Sequence, residues 1–254
     1  VEGAMKILPL FGGIFYLCRV SKQPYGTIRS TKRTLRTQPV GRGFYRPDAA
    51  GAYCRARGGC RCRGARFCGA ELSGSGRCRP PDADTVSLSN LQRQVLYTTA
   101  DMGRPKAEVA AMRLSRLNPG CDIRVVTDRL TAANAAGLLG GHDAVVDCTD
   151  NYDARYVIDD FCREAEVPMI YGTAEAVGGQ VAVFHAGGAG GYRDLYPERA
   201  SQKPVVGVLS PIVGVIGSLQ ALETVKLLCG VGESLAGNLL VVDGRTMQVS
   251  KLEL

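Results

Sequence analysis

The chain has 254 residues, 45% of them hydrophobic, enough for one large domain or two small ones with a sizeable core. The formal net charge of +7 is a poor guide to partners, because it divides: residues 1–81 hold 16 Lys/Arg against 3 Asp/Glu, and residues 82–254 hold 15 against 21. Two compositions are joined in one chain, and the charge of the whole excludes nothing until each part is read by itself.

The first apolar stretch, Ile7–Cys18, is too short to cross the ~30 Å of a bilayer core, and neither its flanking charge nor its sequel suits a signal peptide. Apolar residues then become sparse and unphased. Between Cys54 and Asp84 five cysteines (Cys54, Cys60, Cys62, Cys68 and Cys78) stand among seven arginines. They lack paired C-x2-C spacing, which argues against zinc, and are crowded for a disulfide framework. An arginine-rich nucleic-acid arm fits the charge, but only Phe67 is aromatic there. The preferred reading is a shifted reading frame of a GC-rich gene: residues 1–81 are expected to be aberrant, irregular or wrongly packed.

From Asp82 the pattern becomes regular. Pro105–Leu117 reads as a helix, with Pro at its first position and "LNPG" at its end. Asp122–Thr127 reads as a strand, Ala132–Leu139 as a helix, Asp143–Thr149 as a strand and Asp153–Ala165 as a helix. "VPMIYGT" and "GGQVAVFHA" continue as strands. Pro211–Gly230 is long and apolar, but Gln220, Glu223 and Lys226 recur on it at helical spacing, which predicts a buried or interface helix and no membrane span. "NLLVVD" and "MQVSKLEL" close the chain as strands. Alternating strands and helices predict an α/β fold with a mainly parallel central sheet. Cys121, Cys148, Cys162 and Cys229 read as small buried hydrophobes in a reducing compartment.

Several polar residues punctuate this pattern. An acidic residue such as Asp82, at a strand end, suits ribose hydroxyls. Arg93 and Lys106 are cations suited to phosphates, one a planar fork and one a point charge. Asp150, past a strand's carboxyl end, suits Mg²⁺ or the cap of the following helix. Each has a plainer reading as a turn, surface or capping residue.

Taken together, "SLSNLQRQVLY", "GRPKAEVAAMRLSRLNP", "VVDCTDNYDARYVID" and "VGVIGSLQALETVKLL" resemble the MoeB/ThiF/HesA adenylyltransferases, over roughly residues 82–254. The resemblance implies a Rossmann-like nucleotide-binding domain that uses ATP and Mg²⁺ to adenylate the C-terminal glycine of a ubiquitin-like sulfur carrier, for thiamine, molybdopterin or related cofactor synthesis. It implies a cytoplasmic homodimer without nucleic-acid or membrane partners. By motif, Asp82 would bind ribose; Asn90, Arg93, Gln94 and Lys106 would surround the triphosphate, with Asn151 in the same set; and Asp150 would hold Mg²⁺.

The chain departs from the family in three places. Gly191 and Asp194 stand where zinc-binding cysteines would, so no zinc is expected. No cysteine precedes "GVLSP", which implies adenylation without a thioester at that place. Upstream of Asp82 there is no apolar strand with a GxGGLG turn, so the family's first βαβ portion is missing or aberrant, and no counterpart exists for the arginine that reaches the partner's ATP site. The alternative is therefore an impaired remnant that binds carrier or dimerises without turnover.

Overall fold

The computed structural model describes residues 4–10, 13–18, 54–56, 60–62, 85–117, 122–126, 128–197 and 207–254. Strands β1 (Ala4–Leu10) and β2 (Gly13–Cys18) are followed by the short strands β3 (Cys54–Ala56) and β4 (Cys60–Cys62). Then come α1 (Leu88–Leu91), a 3-10 turn at Thr99–Asp101, α2 (Lys106–Leu117), β5 (Asp122–Val125), α3 (Ala135–Leu139), β6 (Ala144–Asp147) and α4 (Tyr152–Ala165). The chain continues through β7 (Met169–Glu175), β8 (Gly178–Phe184), α5 (Tyr192–Leu195), α6 (Ser210–Cys229), β9 (Asn238–Asp243) and β10 (Gln248–Glu253).

Eight strands form one sheet in the order β10-β9-β8-β7-β6-β2-β1-β5. The α/β architecture is the expected one, but the sheet is mixed rather than mainly parallel. Only β6–β7 and β1–β5 pair in parallel; the other neighbours are antiparallel. Two physical causes account for this. Strands β7 to β10 follow one another without a crossover from β7 to β8 and from β9 to β10, which forces antiparallel pairing. The places between β5 and β6 are taken by a hairpin, β1–β2, whose second strand runs against β6 with Tyr16 opposite Val146. The apolar stretch Ile7–Cys18 thus lies largely within the sheet.

Both faces of the sheet are covered, so its central strands are apolar on both sides. On β6, Val145 packs toward α4 with Ile158, Phe161, Met169 and Tyr171, while Ala144 and Val146 pack with Ile170, Leu227 and Leu228 of the α6 side. Helix α6 has the length and apolarity of a membrane span, yet it lies on the sheet: Ile212, Val213 and Ile216 join Val181, Val183 and Val242 in one cluster. Pro211 falls in its first turn and Gly230 ends it at φ 64, a left-handed conformation in which glycine carries no Cβ penalty. Cys148 and Cys162 are free thiols, Cys162 and Cys229 are buried as expected, and Cys121 lies outside the described residues.

Candidate functional site

The carboxyl end of β6 is built around one buried carboxylate. Asp147 Oδ1 accepts from Thr149 N at 2.8 Å and Thr149 Oγ1 at 2.6 Å, closing a tight turn, and Oδ2 receives Arg155 Nε at 2.7 Å. Arg155 Nη2 also donates to Thr149 O at 2.5 Å, and its guanidinium lies over the rings of Tyr171 and Tyr192. Burial pushes the Arg155 pKa down, but Asp147 and the tyrosines outweigh it, so the guanidinium stays charged. From behind, Gln220 of α6 donates Nε2 to Asp147 O at 2.7 Å and Ile170 O at 3.2 Å. This approach needs Gly172, because a Cβ there would lie 2.2 Å from Gln220 Cδ.

This frame presents the residues picked from sequence. Asp150 is exposed at the tip of the turn. Asn151 caps α4 by accepting from Ala154 N at 2.8 Å, so the capping role considered for Asp150 belongs to its neighbour. The Nδ2 of Asn151 is buried without a hydrogen bond.

Residues 85–106 fold back on themselves against this turn. Val86 N donates to Arg104 O and Gly103 N to Val86 O, both at 2.9 Å, and the small core of Val86, Tyr97, Ala107, Val109 and Ala110 packs against Cys148. Asp101 caps the 3-10 turn through Thr98 N and Oγ1 and pairs with Arg113 of α2. Tyr97 Oη donates to Lys106 O at 3.2 Å. As a result Asn90, Arg93, Gln94 and Lys106 are all buried, with Arg93 only 3% and Lys106 only 2% exposed. Burial lowers the Arg93 pKa and the charge of Asp150 opposes that shift, so the two groups share one electrostatic environment. Asp150 thus offsets part of the cost of taking the Arg93 guanidinium out of water. Asp82 lies outside the described residues.

Beside the turn opens a cavity of about 530 Å³ between α4, α5 and β7–β9, with Tyr152, Arg155 and Tyr171 among its walls. Its roof is the segment that follows β8. Asp159 of α4 holds it, accepting from Tyr192 N at 2.6 Å and Arg193 N at 3.1 Å and standing 2.7 Å from His185 Nε2; Arg193 forks onto Asp160 at 2.7 and 2.9 Å. Gly191 N donates to Asp194 Oδ2 at 2.6 Å, and a Cβ on Gly191 would lie 2.6 Å from Asp159 Oδ1, so the positions of the expected cysteines form a hydrogen-bonded turn.

Asp147, Arg155, Gln220 and Asp159 were not singled out from sequence. The available signal was charged or amide side chains inside otherwise apolar strands and helices, where burial demands a partner.

Residues 71–254 match the ThiF family. The chain is 41% identical over 186 residues to the molybdopterin-synthase adenylyltransferase of Escherichia coli K12, covering 72% of this chain and 75% of that protein. It is 40% identical over 190 residues to the sulfur carrier protein adenylyltransferase of Thermus thermophilus, covering 71% and 70%. A crystal structure of E. coli MccB with AMPCPP and MccA shares the fold, with a TM-score of 0.60 at 16% identity over 68% of this chain and 54% of that one. The chain belongs to the ThiF family of adenylyltransferases.

Proposed function

We propose that this chain uses ATP to adenylate the C-terminal glycine of a ubiquitin-like sulfur carrier, in molybdopterin, thiamine or related cofactor synthesis in the cytoplasm. The observation that carries this reading is the buried set Asn90, Arg93, Gln94 and Lys106, whose Arg93 feels the charge of Asp150.

The carrier's carboxylate is ionised at pH 7 and needs no general base. One of its oxygens attacks the α-phosphorus of ATP, the bond to the β-phosphate bridge breaks, and pyrophosphate leaves with the electron pair. The protein's work is alignment and charge. Arg93 offers a fork to phosphate oxygens and Lys106 a point charge. Asn90, Gln94 and the buried Nδ2 of Asn151 are neutral donors for the same ligand, and Asp82 is assigned to the ribose. Asp150 suits Mg²⁺, which commonly takes one or two carboxylates plus substrate phosphates; an all-protein cage is not required, and no cluster of three metal-binding side chains occurs among the described residues. Bound there, Mg²⁺ would neutralise charge on the phosphates.

The proposal includes a homodimer through α6. Val213 and Ile216 of this helix are buried in the core and take no part in such a surface. The outward stripe of α6 is Pro211, Val215, Ser218 and Leu222, with Val215 45% and Leu222 53% exposed. An apolar stripe of this kind suits a second copy of the same helix.

Exchange of labelled pyrophosphate into ATP tests the reaction. The expected result is exchange that requires both carrier and Mg²⁺; exchange without carrier, or none with any ubiquitin-like carrier, defeats the reading.

A further inference from the structure

Helix α6 carries an amide in the middle of its apolar length, and that amide is buried: Gln220 is 4% exposed. A buried side-chain amide needs partners for two N–H donors and for its oxygen. Gln220 finds them on the sheet. Its Nε2 donates to Asp147 O at 2.7 Å and Ile170 O at 3.2 Å, and its Oε1 receives the Cys148 thiol at 3.9 Å. Strands β6 and β7 are parallel neighbours, with Val146 opposite Ile170 and Asp147 opposite Tyr171, so the amide bridges the two strands where β6 ends. Both ends of the amide act on the junction of residues 147 and 148.

That junction is the root of the turn that bears Asp150. On the α4 face of the sheet, the Asp147 side chain and Arg155 fix Thr149 through its N, Oγ1 and O. None of those bonds uses the Asp147 carbonyl, which Gln220 holds from the α6 face. Asp150 comes directly after Thr149, so the direction in which its carboxylate leaves the sheet is set by two clamps, one on each face.

Docking of the helix does not account for the second clamp. Helix α6 is already seated by the cluster of Ile212, Val213 and Ile216 with Val181, Val183 and Val242. The amide moreover requires Gly172 inside β7, where a Cβ would lie 2.2 Å from Gln220 Cδ and 2.5 Å from its Nε2. Glycine inside a strand weakens it. The pair Gly172 and Gln220 thus gives up strand stability for a directed hydrogen bond at the root of the turn.

We propose that Gln220 is a positioning residue for Mg²⁺: by fixing the Asp147 carbonyl it aims the Asp150 carboxylate, and so strengthens binding of ATP with its metal rather than of ATP alone. This rests on the adenylation reading above, in which Asp150 holds the metal.

The test uses the full chain with Gln220→Met, which keeps the length of the side chain and removes its donors, and with Gly172→Ala, which pushes the Gln220 amide off the carbonyls. The probe is a non-hydrolysable ATP analogue, its affinity measured by calorimetry with Mg²⁺ and with EDTA, and circular dichroism checks the fold. Each variant is expected to bind about tenfold more weakly with Mg²⁺, the scale for removing a group that orients a metal ligand, and to match the unmodified chain in EDTA. Adding Gln220→Met to Asp150→Ala should weaken binding no further, because the glutamine acts through that carboxylate. An equal loss with and without the metal, no loss, or a fully additive double variant overturns the role of Gln220. Binding that is independent of Mg²⁺ in the unmodified chain overturns it too, and if neither variant folds Gln220 is a structural residue and the proposal falls. Carrier-dependent pyrophosphate exchange by the unmodified chain is measured alongside. Its absence defeats the adenylation reading, while the expected pattern of analogue binding would still support the role of Gln220; its presence with the Mg²⁺ gain unchanged in both variants defeats Gln220 alone.

Discussion

Asp147 and Arg155 form an ion pair of 2.7 Å with both side chains almost wholly removed from water, and the turn bearing Asp150 is folded around it. One residue ends a strand and the other begins the second turn of a helix, so the pair fastens two elements and shapes the loop between them.

Removing one partner should cost far more than a surface pair. Arg155→Ala leaves a buried carboxylate uncompensated, and a loss of about 3–5 kcal/mol in unfolding free energy is expected, measured by urea denaturation. The double variant Asp147→Asn, Arg155→Ala should recover part of that loss, since it leaves no orphan charge. A strictly additive double variant would show that the two groups act independently.

Any exchange that the chain supports should run through Lys106. Lys106→Ala is expected to lower carrier-dependent pyrophosphate exchange about 10²–10³-fold, the range for loss of one well-placed donor to developing charge. Asp150→Ala should produce a comparable loss that excess Mg²⁺ partly relieves. Unchanged exchange in Lys106→Ala would remove this lysine from the chemistry.

Acid should loosen the roof of the cavity. Burial pushes the Asp159 carboxyl up, but hydrogen bonds from His185 and from the N–H groups of Tyr192 and Arg193 outweigh it, leaving its pKa below the ordinary value. A carboxyl depressed in the folded state adds stability above its unfolded pKa of about 3.9, and that stability is lost as pH falls through the lower folded value. Stability should therefore decline below about pH 4. Asp159→Asn should flatten that acid limb while lowering stability at pH 7; Asp101, also depressed by its hydrogen bonds, is present in both proteins and cancels. An acid limb of equal slope in both would assign it elsewhere.

The stripe on α6 predicts self-association. Leu222→Lys places a charge on the outward face without touching the core, and sedimentation velocity should show a dimer for the unmodified chain and a monomer for this variant. A monomer in both cases would leave the stripe without this role.

Much of the fold from Pro105 onward is legible in the sequence, because local patterns write it. Helix α4 shows its apolar face, although its cap falls on Asn151 and not on Asp150, α6 shows Pro211 and Gly230 at its ends, and β6 shows an uninterrupted apolar run. Three features are not legible. Gln220 looks like the polar face of a helix, yet it is buried against Gly172, a contact set by tertiary approach alone. The match of Asp159 with His185 and Tyr192 joins residues far apart in sequence. The hairpin β1–β2 is decided by unfilled places in a sheet whose other strands come much later in the chain.

That hairpin also bears on the order of assembly. The pairs β6–β7, β7–β8 and β9–β10 join strands close in sequence, and such local pairings form quickly because little chain entropy is lost in closing them. Strand β5 pairs only with β1 among the described residues, and β1 reaches the rest of the sheet only through β2. Strands β1 and β2 pair with each other, but must wait for their outer neighbours until Val125 and Val146 have been synthesised. An apolar segment kept waiting in this way is open to proteases and to pairing with other chains. Loss of residues 4–18 would leave β5 without its strand partner among the described residues and open an edge at β6.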